Sequence, residues 1–315
     1  MQAPETTENT TQNNTLQIAR SERTKGYVLL AITLLIWGSF TLISRVGTTS
    51  ALTPWDIAGL RFATAAMVLI PIQCFRREWR FLFNPHIIAF ALIGGMLYSC
   101  LAYLGFGDVP AAHAAIWLNG MLPLWTALSA WVMLGETFTR DTWLSLCLIG
   151  LGIGAMVGMM AMQNSFHLGI GDLYFFLAAG CWGVYSALLK RWPVPPWQAM
   201  AGVALWSAVI YLPVYWFLLP RHLEQASFNQ IALQGIFQGI FVVIIAMLTY
   251  IGAIKRLGAF RSGSLLALAP LLAAVAAVPL LHEPLTMALL MGILGVSLGA
   301  LQPWRWGRKI SSKTL

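Results

Sequence analysis

The sequence is poor in charged residues. Only 10% of its 315 residues are Asp, Glu, Lys or Arg, whereas a soluble domain has about 25%. Hydrophobic residues make up 58% of the chain, and the mean hydropathy is +0.73. A soluble core cannot bury that much apolar surface, so most of the chain is expected to lie in lipid. The low charge therefore argues against an ordinary soluble enzyme or binding module.

The sequence also lacks the residue groups on which most enzymes and metal sites depend. Its four cysteines lie in or beside apolar runs without the spacing of zinc ligands, so we interpret them as packing residues: Cys74, Cys100, Cys147 and Cys181. No glycine-rich phosphate-binding loop is present, which argues against ATP-driven transport. No nucleophile, metal cluster or pair of acids falls at one membrane depth. We therefore expect no enzyme activity, no cofactor and no metal.

What the sequence does contain is a series of long apolar runs. A transmembrane helix needs about 20 mainly apolar residues, and ten segments meet this requirement. They are 27–46, 55–74, 86–107, 112–134, 142–162, 172–190, 197–219, 231–253, 262–281 and 287–304. The prediction is an all-α integral membrane protein with ten transmembrane helices.

The positions of Lys and Arg indicate the orientation of these helices. Sixteen of the 19 basic residues lie in segments that are cytoplasmic if the N-terminus is inside. The outer loops keep only Arg45 and Arg221, and Arg61 lies within a span. Cytoplasmic loops carry an excess of basic residues, so both termini are predicted to be cytoplasmic. Residues 1–25 read as a disordered polar tail and residues 305–315 as a basic tail. The net charge of +8 is explained by the basic residues of the predicted cytoplasmic segments and does not indicate nucleic-acid binding.

One sequence template occurs twice. Residues 117–139 and 264–286 share an apolar run with a central proline and a Glu-x-x-Thr tail, and Pro123 corresponds to Pro270, 147 positions later. The first repeat covers 26–162 with predicted helices 1–5, and the second covers 171–304 with predicted helices 6–10. Because five is an odd number, the second repeat should enter the membrane upside down. Such inverted repeats are typical of alternating-access carriers that bind substrate near the midplane.

Short motifs in both halves carry a family resemblance. They are Trp37-Gly38-Ser39-Phe40, Arg61-Phe62, Pro123 with Leu134-Gly135-Glu136, and Pro270 with Leu281-His282-Glu283. In these residues and their order the chain resembles the EamA branch of the drug/metabolite transporter (DMT) superfamily, over residues 26–304. The resemblance implies a multi-pass carrier of the bacterial inner membrane that exports amino acids or related metabolites through a central cavity built from both halves. Arg45 stands where the first helix of the family often ends in Lys.

Candidate substrate-binding residues are the polar and aromatic side chains expected to meet between the repeats. They are Trp37, Thr41, Arg61, Tyr103, Trp117, Asn119, Trp182, Tyr185 and Gln238. An arginine near the bilayer centre costs about 2.5–3.5 kcal/mol on insertion scales, so a function or a contact should account for the presence of Arg61 within a span. It either holds a carboxylate or phosphate in the cavity, reaches the outer interface, or pairs with Asp56. For the aromatic and amide side chains the alternatives are interface anchoring and contacts between helices.

Four residues are candidates for gating: Pro123, Pro270, Glu136 and Glu283. The prolines should kink their helices. Each kink is either a hinge for gating or a fixed bend of the helix. The glutamates are predicted to lie on opposite membrane faces, where they cap loops or close gates through basic neighbours such as Arg140.

No carboxylate lies in the middle of a span, and His113 is the one protonatable residue expected near the cavity. This scarcity favours a facilitator or exchanger over a proton antiporter.

Glycine spacing in predicted helices 5 and 10 indicates close packing within the bundle. The glycines are Gly150, Gly154, Gly158, Gly295 and Gly299. The sequence as a whole predicts a secondary transporter, a monomer or weak dimer, whose partners are the bilayer and a small-molecule substrate. The alternative is a membrane protein without transport activity, either an enzyme or a structural or receptor-like bundle.

Overall fold

A computed structural model of the protein describes residues 5–162, 168–257 and 287–301, together with 262, 265–266, 268–269 and 272. All regular structure in these ranges is helical, and eight of the helices are long and apolar enough to cross a bilayer. In chain order they are α1 (Glu5–Thr48), α2 (Pro54–Arg76), α3 (Pro85–Asp108), α4 (Ala115–Leu134), α5 (Arg140–Met162), α6 (Ile170–Arg191), α7 (Pro196–Leu218) and α8 (Phe228–Leu257). A shorter helix, α9, covers Met287–Leu301.

These helices correspond to the predicted spans, with two differences. The ninth predicted span, 262–281, falls mostly outside the described residues, and so do Pro270 and Glu283. The helix α9 therefore corresponds to the tenth predicted span, and the count of ten stays a prediction. The backbone of α1 is helical from Glu5, within the stretch expected to be a disordered tail. Extending an existing helix costs little compared with starting one, so the packed part from Arg20 onward can propagate it.

Local signals in the sequence set the helix ends. Thr53 caps α2, because its Oγ1 accepts a hydrogen bond from Asp56 N at 3.1 Å while Asp56 Oδ2 accepts one from Thr53 N at 2.8 Å. This reciprocal capping satisfies backbone donors that the first turn of a helix leaves open. The residue directly after α2 is Arg77, whose φ of 55° is left-handed, and the residue directly after α4 is Gly135, with a φ of 68°. A left-handed residue after the last turn is a common helix stop.

Contacts between helix ends fix the relative directions of the two repeats. Thr48 Oγ1, at the end of α1, donates to the carbonyl oxygen of Phe106, near the end of α3, at 2.8 Å. Gly171 N, at the start of α6, donates to Asp108 Oδ2, at the end of α3, at 2.7 Å. The ends of α1 and α3 thus lie beside the start of α6. The first helices of the two repeats therefore run in opposite directions, as an inverted repeat requires.

Helix pairing has the same symmetry. The helix α1 packs against α8 and α3 packs against α6, so the first helix of each repeat contacts the third helix of the other. The helix α2 packs against α7, its counterpart, and α5 against α9, the counterpart in the predicted order. Exchanging the two repeats leaves this set of pairs unchanged. The interior of the bundle is therefore built from both halves of the sequence.

The glycine contacts correct the predicted packing face of α5. A Cβ added at Gly152 would lie 2.8 Å from the Cα of Gly295, and one added at Gly299 would lie 2.6 Å from Ile149 Cγ1, so α5 and α9 touch backbone to backbone. A Cβ at any of the three glycines predicted to pack would meet no described atom within 4 Å: Gly150, Gly154 and Gly158. The prediction was right for α9 and wrong for α5. Two residues along a helix correspond to about 200° of rotation, so Gly150 and Gly154 point away from the face that Gly152 presents.

Three helices contain wide, π-helical turns. They cover Ala91–Leu97 in α3, Ala115–Gly120 at the start of α4 and Gly235–Ile245 in α8. The helices α3 and α8 hold equivalent places in the two repeats. Such turns shift the side chains that follow to a new helix face and occur frequently at functional sites.

Candidate functional site

A chain of buried hydrogen bonds runs through the centre of the bundle. Arg61 Nη1 donates to Tyr103 Oη at 3.2 Å, and Tyr103 Oη donates to Gln238 Oε1 at 3.0 Å. Gln238 Nε2 in turn donates to Ser44 Oγ at 3.1 Å. Tyr103, Gln238 and Ser44 are fully buried. We call these four residues the Arg61 network; it joins α2, α3, α8 and α1, and it brings together three of the predicted site residues.

The wide turn of α8 positions the amide in this network. Gln238 lies within that turn, and its neighbour Gly239 rests directly on α2, where an added Cβ would be 2.9 Å from the carbonyl oxygen of Arg61. Gln238 Nε2 also donates to Gln234 Oε1 at 3.3 Å, and Gln234 Nε2 donates to the carbonyl oxygen of Ile43 at 2.8 Å. The absence of a side chain at Gly239 therefore lets α8 approach α2 closely enough for the network to close.

One N–H group of the Arg61 guanidinium makes no hydrogen bond to any described residue. Its Nε is buried and has no hydrogen-bond partner among the described residues. Its guanidinium carbon lies 6.0 Å from the centre of the Phe40 ring, within the range of a cation–π contact. The predicted alternative of a pair with Asp56 is not found, because Asp56 caps α2 and accepts a hydrogen bond from Tyr215 Oη at 2.6 Å. Within the described part of the chain, Arg61 is a cation without a carboxylate partner.

Aromatic pairs across the repeats flank the network. Trp182 of α6 packs on Tyr98 of α3 with ring centres 5.0 Å apart, and Trp37 of α1 packs on Tyr250 of α8 at 5.3 Å. Each tryptophan comes from the first helix of one repeat and contacts a tyrosine on the third helix of the other. Tyr185 lies 5.5 Å from Trp182, centre to centre. Both tryptophans therefore sit on the interface between the repeats.

Tyr98 is a candidate site residue that the sequence prediction missed. Tyr98 lies on α3, as Tyr103 does, and its ring packs on Trp182 of the other repeat. The next residue, Ser99, has a buried hydroxyl with no partner among the described residues. The available signal was the glycine pair Gly94-Gly95, which sits in the wide turn before Tyr98. An added Cβ at Gly94 would lie 2.4 Å from Tyr185 Cγ, so Gly94 admits the aromatic side chain of Tyr185 from α6, while Gly95 admits Ser207 of α7, whose Oγ would lie 2.3 Å from its added Cβ.

The remaining three predicted site residues join neither the Arg61 network nor these aromatic pairs through any described contact. Thr41 is buried on α1, one residue after Phe40. Trp117 packs edge to face on Phe176 with ring centres 6.2 Å apart, and its buried Nε1 has no partner in the described ranges. Asn119 is half-buried in the wide turn of α4. No group of three potential metal ligands occurs in the part of the chain that the structure describes.

The gating candidates on α4 occupy its middle and its end. Pro123 lies in the first turn of the regular part of α4, directly after the wide turn and the break at Met121. Glu136 forms an ion pair with Lys190 of α6. Its basic partner is therefore Lys190 rather than Arg140, which the sequence analysis suggested. Arg191 Nη1 donates to the carbonyl oxygen of Met133 at 3.0 Å and adds a second contact between the same helix ends.

A further ionisable pair joins the opposite ends of α4 and α6. His113, in the helical turn Ala111–Ala114 that leads into α4, lies with its Nδ1 2.7 Å from Asp172 Oδ1. The prediction considered His113 alone and placed Asp172 at a helix end. The structure buries both side chains, with 6% and 5% exposed. Sequence periodicity could not reveal this pair, because its two residues lie 59 positions apart.

Comparison with protein families gives one result that covers nearly the whole chain. Residues 24–158 and 169–302 each match the model of the EamA-like transporter family. The two matched ranges coincide closely with the two repeats read from the sequence. The chain is also similar to a solved crystal structure, with a TM-score of 0.59 at 19% identity, covering 89% of this chain and 96% of that chain. At this identity the likeness concerns the fold.

Curated relatives are similar over most of their own length. An uncharacterized transporter of Clostridium kluyveri is 22% identical over 293 residues, covering 88% of this chain and 92% of that protein. The uncharacterized transporter YvbV of Bacillus subtilis is 23% identical over 289 residues, covering 86% and 89%. An uncharacterized transporter of Archaeoglobus fulgidus is 25% identical over 280 residues, covering 87% and 97%.

Proposed function

The chain belongs to the EamA-like transporter family, and we propose that it exports a small metabolite with a carboxylate group, such as an amino acid, by alternating access. The substrate binds between the repeats with its carboxylate at Arg61 and its apolar part against Tyr98, Trp182 and Trp37. The protein works in the bacterial inner membrane as a monomer or weak dimer with both termini in the cytoplasm. No enzyme activity, cofactor or metal enters this proposal.

The observation that carries this proposal is the Nε of Arg61, which is buried and has no hydrogen-bond partner among the described residues. A buried polar group without a partner is costly, and a buried charge is more so, which makes an unpaired arginine inside a membrane a candidate for a functional site. The planar guanidinium matches a carboxylate, which can accept two parallel N–H···O bonds. A few fixed polar groups among aromatic walls are also the usual composition of a small-molecule site.

Alternating access requires that each end of the bundle opens in turn. We propose that the Glu136–Lys190 pair closes the cytoplasmic end between α4 and α6 and that Glu283 has the corresponding role at the outer end. Pro123 serves as a hinge of α4 and Pro270 as a hinge of the ninth predicted span, because proline has no backbone N–H to donate. The wide turn directly before Pro123 supports the hinge role of this proline.

The proposal is tested by exchange in proteoliposomes that contain the purified full-length protein. We expect counterflow of one or more radiolabelled L-amino acids, with no competition from the corresponding amino acid amides, because these lack the carboxylate. The Arg61→Gln variant should lose this counterflow. A matched control is Arg221→Gln, since Arg221 is exposed and stacks on Trp216 with its guanidinium carbon 4.4 Å from the ring centre.

Three outcomes would contradict the proposal. Normal counterflow by a well-folded Arg61→Gln variant would remove Arg61 from the binding site. Equal competition by acids and amides would remove the carboxylate from the substrate description. A protein that moves no compound of a broad metabolite panel would favour the alternative of a membrane protein without transport activity.

A further inference from the structure

The hydroxyl of Ser99 is a buried polar group that the proposed function leaves unused. Ser99 is fully buried in α3, in the first regular turn after the wide turn Ala91–Leu97. Its Oγ has no hydrogen-bond partner in the part of the chain that the structure describes. A buried hydroxyl without a partner is costly, because it has given up its hydrogen bonds to water. A ligand that supplies the missing partner would remove this cost.

The geometry of α3 places Ser99 between the aromatic pair and the Arg61 network. Successive residues of an α-helix are rotated by about 100°, so Ser99 lies about 100° from Tyr98 but only about 40° from Tyr103. Tyr98 contacts Trp182 of α6, and Tyr103 accepts a hydrogen bond from Arg61. The side chain at position 99 therefore lies on the part of α3 between these two contacts.

The neighbours of Ser99 on its own helix face contact the surroundings of Arg61. Phe106 follows Ser99 by about two turns and shares its face. The rings of Phe106 and Phe40 lie 5.9 Å apart, centre to centre, and the guanidinium carbon of Arg61 lies 6.0 Å from the centre of the same Phe40 ring. Side chains of a helix lean toward its N-terminus, so Tyr103 extends over the turn that contains Ser99. The hydroxyl of Ser99 thus lies beside the tyrosine that orients Arg61.

Ser99 differs in its hydrogen-bonding type from most other unpaired groups of the bundle. Five buried side-chain atoms lack a partner among the described residues, and three of them are N–H groups that only donate: Arg61 Nε, Trp117 Nε1 and Trp125 Nε1. The second hydroxyl, of Ser262, follows α8 in the chain and lies outside the helices α1–α9. Within these helices, Ser99 Oγ is therefore the unpaired buried atom that can accept a hydrogen bond.

We infer that Ser99 binds the α-amino group of the substrate and thereby selects α-amino acids over simple carboxylic acids. This inference rests on the proposed function, because it adds a second contact to a substrate whose carboxylate lies at Arg61. Residues one turn apart in a helix have Cβ atoms about 5–6 Å apart, so Ser99 and Tyr103 can contact one small molecule together. In an α-amino acid the carboxylate and the ammonium are attached to the same carbon. The carboxylate accepts from Arg61 while the ammonium donates to Ser99 Oγ.

The aromatic residues beside Ser99 suit a cation. Tyr98 precedes Ser99 directly, and its ring packs on Trp182 with centres 5.0 Å apart. The face of a tryptophan or tyrosine ring attracts an ammonium within about 6 Å of its centre. These rings can therefore replace part of the hydration that the ammonium loses. The carboxylate of the substrate lies between its ammonium and the guanidinium of Arg61, which limits the repulsion between the two cations.

The experiment compares ligands that differ only in the α-amino group. The pairs are L-leucine with isocaproate and L-phenylalanine with hydrocinnamate, in which the carboxylate and the side chain are the same. Their Kd values are measured by ligand-dependent thermal stabilisation of the purified full-length protein. We expect the amino acid of at least one pair to bind about tenfold more tightly than its analogue, because one hydrogen bond to a charged group contributes about that factor.

The variant Ser99→Ala should remove this preference selectively. The Kd of the amino acid should rise about tenfold, whereas the Kd of its deaminated analogue should stay the same. A loss of packing alone would change both values, so the selectivity separates a binding role from a structural one. Ser99→Cys serves where Ser99→Ala does not fold, since a thiol is a weak acceptor. The matched control is Ser207→Ala, which removes an equally buried hydroxyl that donates to the carbonyl oxygen of Ala91 at 3.3 Å and should leave both Kd values unchanged.

The inference and the proposed function can fail separately in this test. Equal Kd values for the amino acid and its analogue in both pairs would overturn the role of Ser99. If the analogues then bind to the protein and lose binding in Arg61→Gln, the carboxylate site of the proposed function stands. A Ser99→Ala variant that weakens both members of a pair equally would also contradict the inference. Failure of all four compounds to bind would count against the inference and the proposed function together.

Discussion

Removing one hydroxyl at the centre of the Arg61 network should weaken substrate binding by a predictable amount. The change Tyr103→Phe keeps the buried ring and its packing on Phe40, whose centre lies 6.1 Å away. It deletes the oxygen that accepts from Arg61 and donates to Gln238. Arg61 then loses the contact that orients its guanidinium. The expected result is weaker binding of the carboxylate without loss of the fold.

The magnitude follows from the two hydrogen bonds that Tyr103 makes. A side-chain hydrogen bond between membrane helices contributes about 0.6 kcal/mol on average, so two contribute about 1.2 kcal/mol. We expect this free energy to appear in the Kd of the substrate, which should rise about eightfold. The measurement is ligand-dependent thermal stabilisation of the purified variant with the amino acid identified by counterflow.

The control for this prediction is Tyr211→Phe. Tyr211 is also buried, with 2% exposed, and its hydroxyl makes one hydrogen bond, to the carbonyl oxygen of Trp55 at 2.9 Å. Both variants lose one buried hydroxyl, so a moderate decrease in Tm is expected for both. Only Tyr103→Phe should raise the Kd. An unchanged Kd in Tyr103→Phe, or an equal increase in Tyr211→Phe, would refute the role of the network.

Two further predictions address the packing of α5 and the aromatic interface. Gly152→Ala should lower the Tm, because its Cβ would lie 2.8 Å from the Cα of Gly295 and overpacking costs about 1–3 kcal/mol. Gly154→Ala has open space and should show an equal or slightly higher Tm; a similar decrease in both would contradict the packing. Trp182→Ala should reduce counterflow strongly with little change in Tm, since it removes an aromatic wall of the proposed site. Trp143→Ala, at an exposed position, should leave counterflow intact, and equal effects of the two would argue against the site.

Much of the fold was predictable because lipid imposes a simple rule. A segment that crosses a bilayer must satisfy its backbone hydrogen bonds internally, so a run of about 20 apolar residues becomes a helix with few alternatives. The first eight predicted spans correspond to α1–α8 for this reason. The doubled template around Pro123 and Pro270 similarly identified the repeats, because related sequences adopt related helices.

The candidate site was predictable only in part. Arg61, Tyr103 and Gln238 were recognisable one by one, since polar residues inside apolar runs are expected to face the protein interior. Their connection into one network was not, because it depends on how closely α8 approaches α2 at Gly239. Tyr98 escaped notice because the wide turn of α3 shifts the register of the residues that follow it.

The amino-acid sequence by itself determined the membrane environment, the helical spans and their duplication, because each depends on local composition or on comparison within the chain. Only the tertiary structure decided the partners. It paired His113 with Asp172, turned Gly152 rather than Gly154 toward α9, and left Arg61 Nε open. The physical reason is that a helix can rotate about its axis and slide along a neighbour without changing its own hydrogen bonds. Which side chains meet is therefore set by the packing of all the helices together.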